Sequence, residues 1–469
     1  MDVHSQALLI RRAGVANRNG PLHRERLAHV PDVLSFTTEK FMNFNRRNFL
    51  AGAALSSASV ALGSSGKPAA TARQQMGQMG SMSHPKPERP EVPRMPALIS
   101  TMTRTIGIDV AFKMLERGSD TLDAALHVTT TEEDDPTDFS TGLGGLPNQD
   151  GEVQLDACVW HGPTRRAAAV ASVSNIKNAS LLARAVMQQT GYSLLSGPDA
   201  QRFGLAHGFI KEGLVTELTR KKFAVWKQLQ STPPQLVSAI YDPNWPESAR
   251  KAHFLAGNQK DMDTLVHDTE PLAVKEGLGP RDTWRTAYDT LFPAGEPLYV
   301  GTINSKKELS SAASTSGIPW RMAGATSDIA VLGAGTYLDP EVGSAGSSGN
   351  ADANIRVSGA RMIVENMRKG MEPEDAGLDV LDRIAHWYKN DMAALRFVEV
   401  AYYILRSDGA YGSVSLWRGD RSGHVRSFTI HDGIRRSENC LFLFDGNPLI
   451  GCGTCKRLSP DAMHKMQID

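Results

Sequence analysis

Cysteine is scarce, with four residues in 469, too few for a disulfide scaffold. Neither sign of charge is in excess: Lys+Arg and Asp+Glu both number 51. That removes the broad basic surface with which proteins hold nucleic acid or anionic membrane. No apolar run is long enough to span a bilayer; the one near residue 50 is short and rich in small residues. Local catalytic signatures are missing too. There is no H-E-x-x-H, no G-x-S-x-G elbow, no G-x-G-x-x-G after a strand and no Walker loop. Gly142-Leu143-Gly144-Gly145 lacks the Lys of a phosphate loop and reads as a structural turn. What remains is ordinary globular composition, 41% hydrophobic. It excludes collagen-like, coiled-coil and wholly disordered chains and permits a large core.

The first part of the chain reads as an address and a linker. Arg46-Arg47 is followed by Phe49-Leu50, a weakly apolar Ala/Ser/Leu segment to Leu62, and an A-x-A-like site at Ala70-Thr71-Ala72. This pattern resembles a twin-arginine export signal over 42–72, with Met42 as its natural start and 1–41 an upstream extension. Export would put the protein in the periplasm or outside the cell, with no membrane contact after signal removal. Residues 73–96 are rich in Gly, Pro and polar residues, as flexible linkers are. Met76, Met79, Met82 and His84 are soft copper ligands in principle, but the linker reading explains them more simply.

From residue 97 the pattern is that of a folded domain. Strands are expected at 97–103, 153–158 and 167–173, and helices at 109–117, 121–128 and 179–189, where apolar residues recur at helical spacing. Residues 210–297 are polar and Pro-punctuated, a surface insertion suited to a lid or to being cut. Beyond Leu298 come short strands and Gly-rich turns, helices at 360–369 and 375–388, and strands at 397–405, 412–417, 425–430 and 440–444. Strands and helices grouped in this way predict an α+β sandwich rather than alternating βαβ units. Cys452-Gly453-Thr454-Cys455 lies past the last strand, so a local disulfide, or pairing with Cys440, is the expectation in an oxidising compartment. His161 and His431 fall in turns between strands and read as structural or exposed. Arg165-Arg166 reads as a solvated turn.

Two stretches combine glycine with small hydroxyls, Thr315-Ser316-Gly317 and Ser347-Ser348-Gly349-Asn350. Glycine lets backbone approach a ligand and aim N–H groups at a developing oxyanion. Their order among other motifs carries a resemblance. E-E-D-D-P-T-D at 132–138, G-L-G-G-L-P-N-Q-D-G at 142–151 and H-G-P-T-R-R-A-A-A-V-A at 161–171 precede N-I-K-N at Asn175, G-T-I-N at Gly301 and S-T-S-G at Ser314. G-A-G-T-Y-L-D at Gly333, V-G-S-A-G-S-S-G at Val342 and D-G-A-Y-G-S-V-S-L-W at Asp408 follow. The series, over roughly 97–445, resembles the glycosylasparaginase family of N-terminal-nucleophile hydrolases, related to plant-type asparaginases and isoaspartyl peptidases.

The resemblance implies a four-layer αββα sandwich, no cofactor or metal, a small asparagine or β-aspartyl substrate and a homodimer of αβ units. It also implies self-cleavage before a Thr, whose freed α-amine then activates its own hydroxyl. Gly301-Thr302 is the expected junction, dividing 97–301 from 302–469, with Thr302 as nucleophile; His267-Asp268-Thr269 offers a second. By the same resemblance Thr315 lies beside the nucleophile, Asp328 and Ser316 hold substrate, Asp328 taking its α-ammonium, and Ser348 with Gly349 forms the oxyanion hole. Three positions depart from the family pattern. Ala325 stands where relatives carry the Arg that clamps the α-carboxylate, Met102 where they carry Trp. The interval from Thr302 to Thr315 is short by about five residues, roughly 16 Å of extended chain.

Overall fold

The computed structural model describes residues 93–101, 107–229, 270–278, 296–395, 398–420 and 424–448. The segment read as an export signal, Met102, Thr269, Cys452 and Cys455 lie outside them. The expected sandwich is present. One sheet has eight strands: β1 (Ala97–Ser100), β2 (Gln154–His161), β3 (Arg166–Ser174), β4 (Leu194–Ser196), β5 (Leu298–Ile303), β6 (Leu309–Thr315), β11 (Ser427–His431) and β12 (Arg435–Asn439). Their spatial order is β12-β11-β1-β5-β6-β2-β3-β4. The second sheet runs β13-β10-β9-β8-β7, built from β7 (Thr336–Asp339), β8 (Gly343–Gly349), β9 (Val400–Arg406), β10 (Tyr411–Trp417) and β13 (Leu441–Phe444).

Helices cover the outer faces. α1 (Ile108–Glu116) buries Ile108, Ala111, Phe112 and Leu115, one stripe at helical spacing. α2 (Thr121–Glu133) starts at Asp120, whose carboxylate accepts the Leu122 and Asp123 N–H groups. With α3 (Ala179–Gln189) and α4 (Gly197–Ala206) they bury one face of the larger sheet. α6 (Ala351–Val357), α7 (Gly359–Arg368) and α8 (Pro373–Trp387) do the same for the smaller sheet. Pro373 opens α8, with Glu374 and Asp375 in its first turn, as the helix dipole favours.

The space between the sheets is filled from strand positions of alternating parity. On β5, Leu298 and Val300 belong to the helix-side core, Tyr299 and Ile303 to the inter-sheet core. On β6 the helix side takes Ala312 and the inter-sheet side Leu309 and Ala313. This period of two fixes where every other side chain on these strands points.

Three expectations change. The Gly/Ser run 343–349 is not a turn but strand β8, buried at all but its last residue. It is glycine-rich because a Cβ on Gly346 would lie 2.1 Å from the Tyr299 ring, so the ring occupies the room that a side chain would need. β12, with alternating exposure, was not expected. Its Arg, Ser, Glu and Asn side chains give no apolar signal. Cys440 is a free buried thiol, with Ser413 Oγ 3.1 Å from its sulfur. His161 ends β2, His431 ends β11 stacked on Phe112, and Arg165-Arg166 is exposed.

Glu133 is buried at the end of α2, where it accepts the Ser180 N–H, the Ser180 hydroxyl and, at 2.6 Å, the Ser314 hydroxyl. Burial pushes its pKa from the usual 4.5 up to about 7, outweighing the hydrogen bonds that pull it down. The folded state therefore holds this proton more tightly than the unfolded chain. Its contribution to stability is full below about pH 4.5 and is lost as pH rises through about 7. Melting temperature measured from pH 5 to 8 is expected to fall more steeply for the native sequence than for Glu133→Gln. Parallel profiles would show that this carboxyl titrates normally.

Candidate functional site

The hairpin of β5 and β6 decides which residues can meet. Its antiparallel register is continuous: Leu298 faces Ser314, Val300 faces Ala312, Thr302 faces Ser310. Thr302 is therefore five positions along β6 from Thr315, roughly 17 Å at the rise of an extended strand. It also points the wrong way. Its hydroxyl donates to the Thr121 carbonyl at 2.9 Å and the Ser310 carbonyl at 3.2 Å, on the helix side. Gly301 and Thr302 are buried mid-strand, paired on both sides by β1 and β6. This geometry does not bring Thr302 beside Thr315, and it sets Gly301-Thr302 in mid-strand. The short interval noted in the sequence is thus no shortened strand. Strand β5 begins upstream, and the residue that its register sets against Thr315 is Pro297, buried. Pro297 carries neither hydroxyl nor thiol.

Thr315 ends β6 on the inter-sheet parity. Its hydroxyl donates to the Ser140 carbonyl at 3.4 Å and accepts the Gly317 N–H at 2.9 Å. Ser316 turns to the loop instead, donating to the carbonyls of Ser140 and Phe139. Both are committed to the chain's own backbone. Arg321, four residues before Ala325, is no substitute carboxylate clamp. Its guanidinium is spent on buried Asp156 at 2.8 Å and on the Gln154 carbonyl.

Asp328 and Ser348 are brought to the same strand end but to opposite sides of it. The Asp328 carboxylate is buried and accepts from Ser347 Oγ and Asn354 Nδ2, both at 2.6 Å. Burial pushes its carboxyl above the usual range. Ser348, the next residue on β8, faces inward, its Oγ 3.2 Å from the Tyr403 hydroxyl and 3.3 Å from Arg426 Nη1. Gly349 has φ +104°, in the region that favours glycine, and lies against the Glu399 carbonyl.

A group that no motif marks completes the site. Arg426, just before β11, is buried between Glu399 and Glu296, whose Oε1 is 2.6 Å from its Nη1. Glu296 immediately precedes Pro297. Three distant segments thus meet at the Arg426 guanidinium, which reaches the Ser348 hydroxyl. No motif spacing predicts this, since 296, 399 and 426 come together only through the sheet order. Opposite the Thr315 loop, α5 (Glu217–Leu229) sets Trp226 in a stack on Trp320, centroids 5.3 Å apart. The start of the polar insertion is therefore packed against the loop that follows β6.

A family model described as Asparaginase matches residues 101–397, more than half of the chain. The chain belongs to the asparaginase family. This asparaginase-family protein is 29% identical over 322 residues to an N(4)-(beta-N-acetylglucosaminyl)-L-asparaginase of Elizabethkingia miricola, covering 69% of this chain and 77% of the relative. It is 28% identical over 310 residues to the mouse protein of the same name, covering 65% and 80%. It is 26% identical over 307 residues to a probable isoaspartyl peptidase/L-asparaginase of Arabidopsis thaliana, covering 64% and 81%. These relatives carry asparaginase- and glycosylasparaginase-type names, which supports an amidohydrolase of that type.

Proposed function

We propose that this protein is an exported, non-hydrolysing member of its family, a binding or scaffold protein that kept the sandwich and part of the ligand-facing polar group. The observation that carries this is Pro297 at the register position beside Thr315, with Thr302 far along the strand and facing the helices. An N-terminal nucleophile needs a hydroxyl or thiol next to its own freed amine, and neither residue supplies one at this end of the sheet. The Arg46-Arg47 segment supports export to the periplasm. The mature chain stays in one piece on this reading. Intact-mass measurement and N-terminal sequencing of purified protein are expected to give a single start near residue 72 and no second start at 302. Thr302→Val is expected to leave the mass pattern unchanged and to cost about 1 kcal/mol, the usual worth of a buried hydroxyl bond. A fragment beginning Thr302-Ile303-Asn304, or release of ammonia from asparagine, would overturn the proposal.

Family membership favours a second reading, an amidohydrolase that cleaves itself at Gly301-Thr302 and acts on N4-(beta-N-acetylglucosaminyl)-L-asparagine or a related β-aspartyl compound, as an αβ dimer. It requires β5 to leave both neighbouring strands so that residue 302 can become a terminus. The same sequencing separates the two, because only this reading yields two chains.

A further inference from the structure

We infer that Arg426 is the carboxylate-binding residue of this chain, taking over at a new position the role that Ala325 cannot fill, and that Glu296 is a built-in anion which a ligand carboxylate displaces. The inference rests on the reading of the protein as a binding protein only in taking the ligand as bound rather than cleaved.

The geometry has three parts. First, the Arg426 side chain is 3% exposed and held by two carboxylates of unequal burial: Glu399 is 9% exposed, Glu296 35%. A guanidinium presents a planar fork that takes carboxylates in pairs. The outer of its two partners is the one that can leave without unburying the Arg. Second, Glu296 sits poorly there. Burial raises its carboxyl pKa against the pull of Arg426, and the negative charges of Glu399 and Asp420 add to the rise. Third, the hydroxyls needed to complete an anion site are already in line. Ser348 Oγ is within reach of Arg426 Nη1, and the Tyr403 hydroxyl is 3.2 Å from that Oγ. Donors of this kind, two hydroxyls and one face of a guanidinium, fit a small aliphatic carboxylate. Arg321, the other arginine near the Thr315 loop, is closed to this use by Asp156.

The test is calorimetric titration of the full exported chain with succinate, a dicarboxylate without the α-amine, so that Asp328 is not probed. Wild type is expected to bind, and Glu296→Gln to bind at least tenfold tighter because the competing charge is gone. Arg426→Lys, which keeps the charge and loses the fork, is expected to bind at least tenfold more weakly than wild type. The double variant Glu296→Gln/Arg426→Gln is expected not to bind; it takes the guanidinium away from the buried Glu399 and is expected to melt earlier, so Arg426→Lys carries the binding test in a chain that keeps the charge. Affinity unchanged or weakened in Glu296→Gln overturns the inference, as does absence of binding to both wild type and Glu296→Gln at millimolar succinate. Binding that survives in the double variant also overturns it. An uncut chain that ignores succinate leaves the proposed function standing and removes this inference. A cut, ammonia-releasing chain whose succinate affinity follows the expected order does the reverse.

Discussion

Gly349→Ala is expected to destabilise the protein by about 3 kcal/mol or more, read as a shift of the urea midpoint. Two independent faults add. At φ +104° an alanine is strained, and its Cβ would lie 2.0 Å from the Glu399 carbonyl oxygen. That oxygen is backbone, already accepting the Asn350 N–H, and the register sets Gly349 opposite Val400 on β9. Neither strand can step aside without breaking the ladder. Gly370 is the control, with φ +93° and nothing within 4 Å of a Cβ. Gly370→Ala is expected to cost only the backbone strain, about 1–2 kcal/mol. Equal shifts for the two variants would show that the close approach at Gly349 costs nothing.

Arg321→Met is the second large effect, expected at about 3–5 kcal/mol because it strands a buried charge. The Asp156 side chain is fully buried on β2 and accepts from Arg321 Nη1, the Ser327 N–H and the Ser172 N–H. Those contacts tie β2 and β3 to the loop after β6. Gly317 is part of the arrangement, since a Cβ there would lie 2.1 Å from the Arg321 guanidinium. Adding Asp156→Asn to Arg321→Met removes the unpaired charge and keeps one acceptor oxygen, enough for one of the Ser172 and Ser327 N–H groups, which the native carboxylate accepts on different oxygens. The double variant is expected to be more stable than Arg321→Met alone. If it is less stable, the two side chains do not act as a pair.

The layers of this fold were readable from the sequence where pattern is amplified by packing. Helix α3 matches its expected bounds of 179–189 because its apolar residues fall on one stripe. Strand β3, Arg166–Ser174, was legible from its run of small apolar residues, since both its faces are buried. Strand β8 was not, because Gly343–Gly349 carries almost no hydrophobic side chain. What makes it a strand is its pairing with β7 and β9, and the Tyr299 ring from the other sheet takes the room at Gly346, contacts that no local window contains. Thr315, Asp328, Ser348 and Gly349 were reached through motif order, and the structure gathers them at one end of the sandwich, though Asp328 turns outward to Asn354. The separation of Thr302 from Thr315 was not legible in the same way. Gly301-Thr302 looks like a junction in a line of text, but only the pairing of β5 with β6 counts positions from the Thr315 end. Arg426 was invisible for the converse reason: its partners at 296 and 399 are adjacent only in space.

The proline at 297 has a consequence for any attempt to place a reactive chain terminus beside Thr315. Cutting the chain ahead of it would release a secondary amine with no oxygen or sulfur to activate, so no processing event alone can make this terminus reactive. Installing threonine there is not sufficient either. The preceding glutamate is tied to a buried guanidinium, and the scissile bond would have to strain against that tether. A reactive terminus at 297 would therefore need a residue with its own hydroxyl or thiol, and the contact of Glu296 with Arg426 would bear on the bond ahead of it.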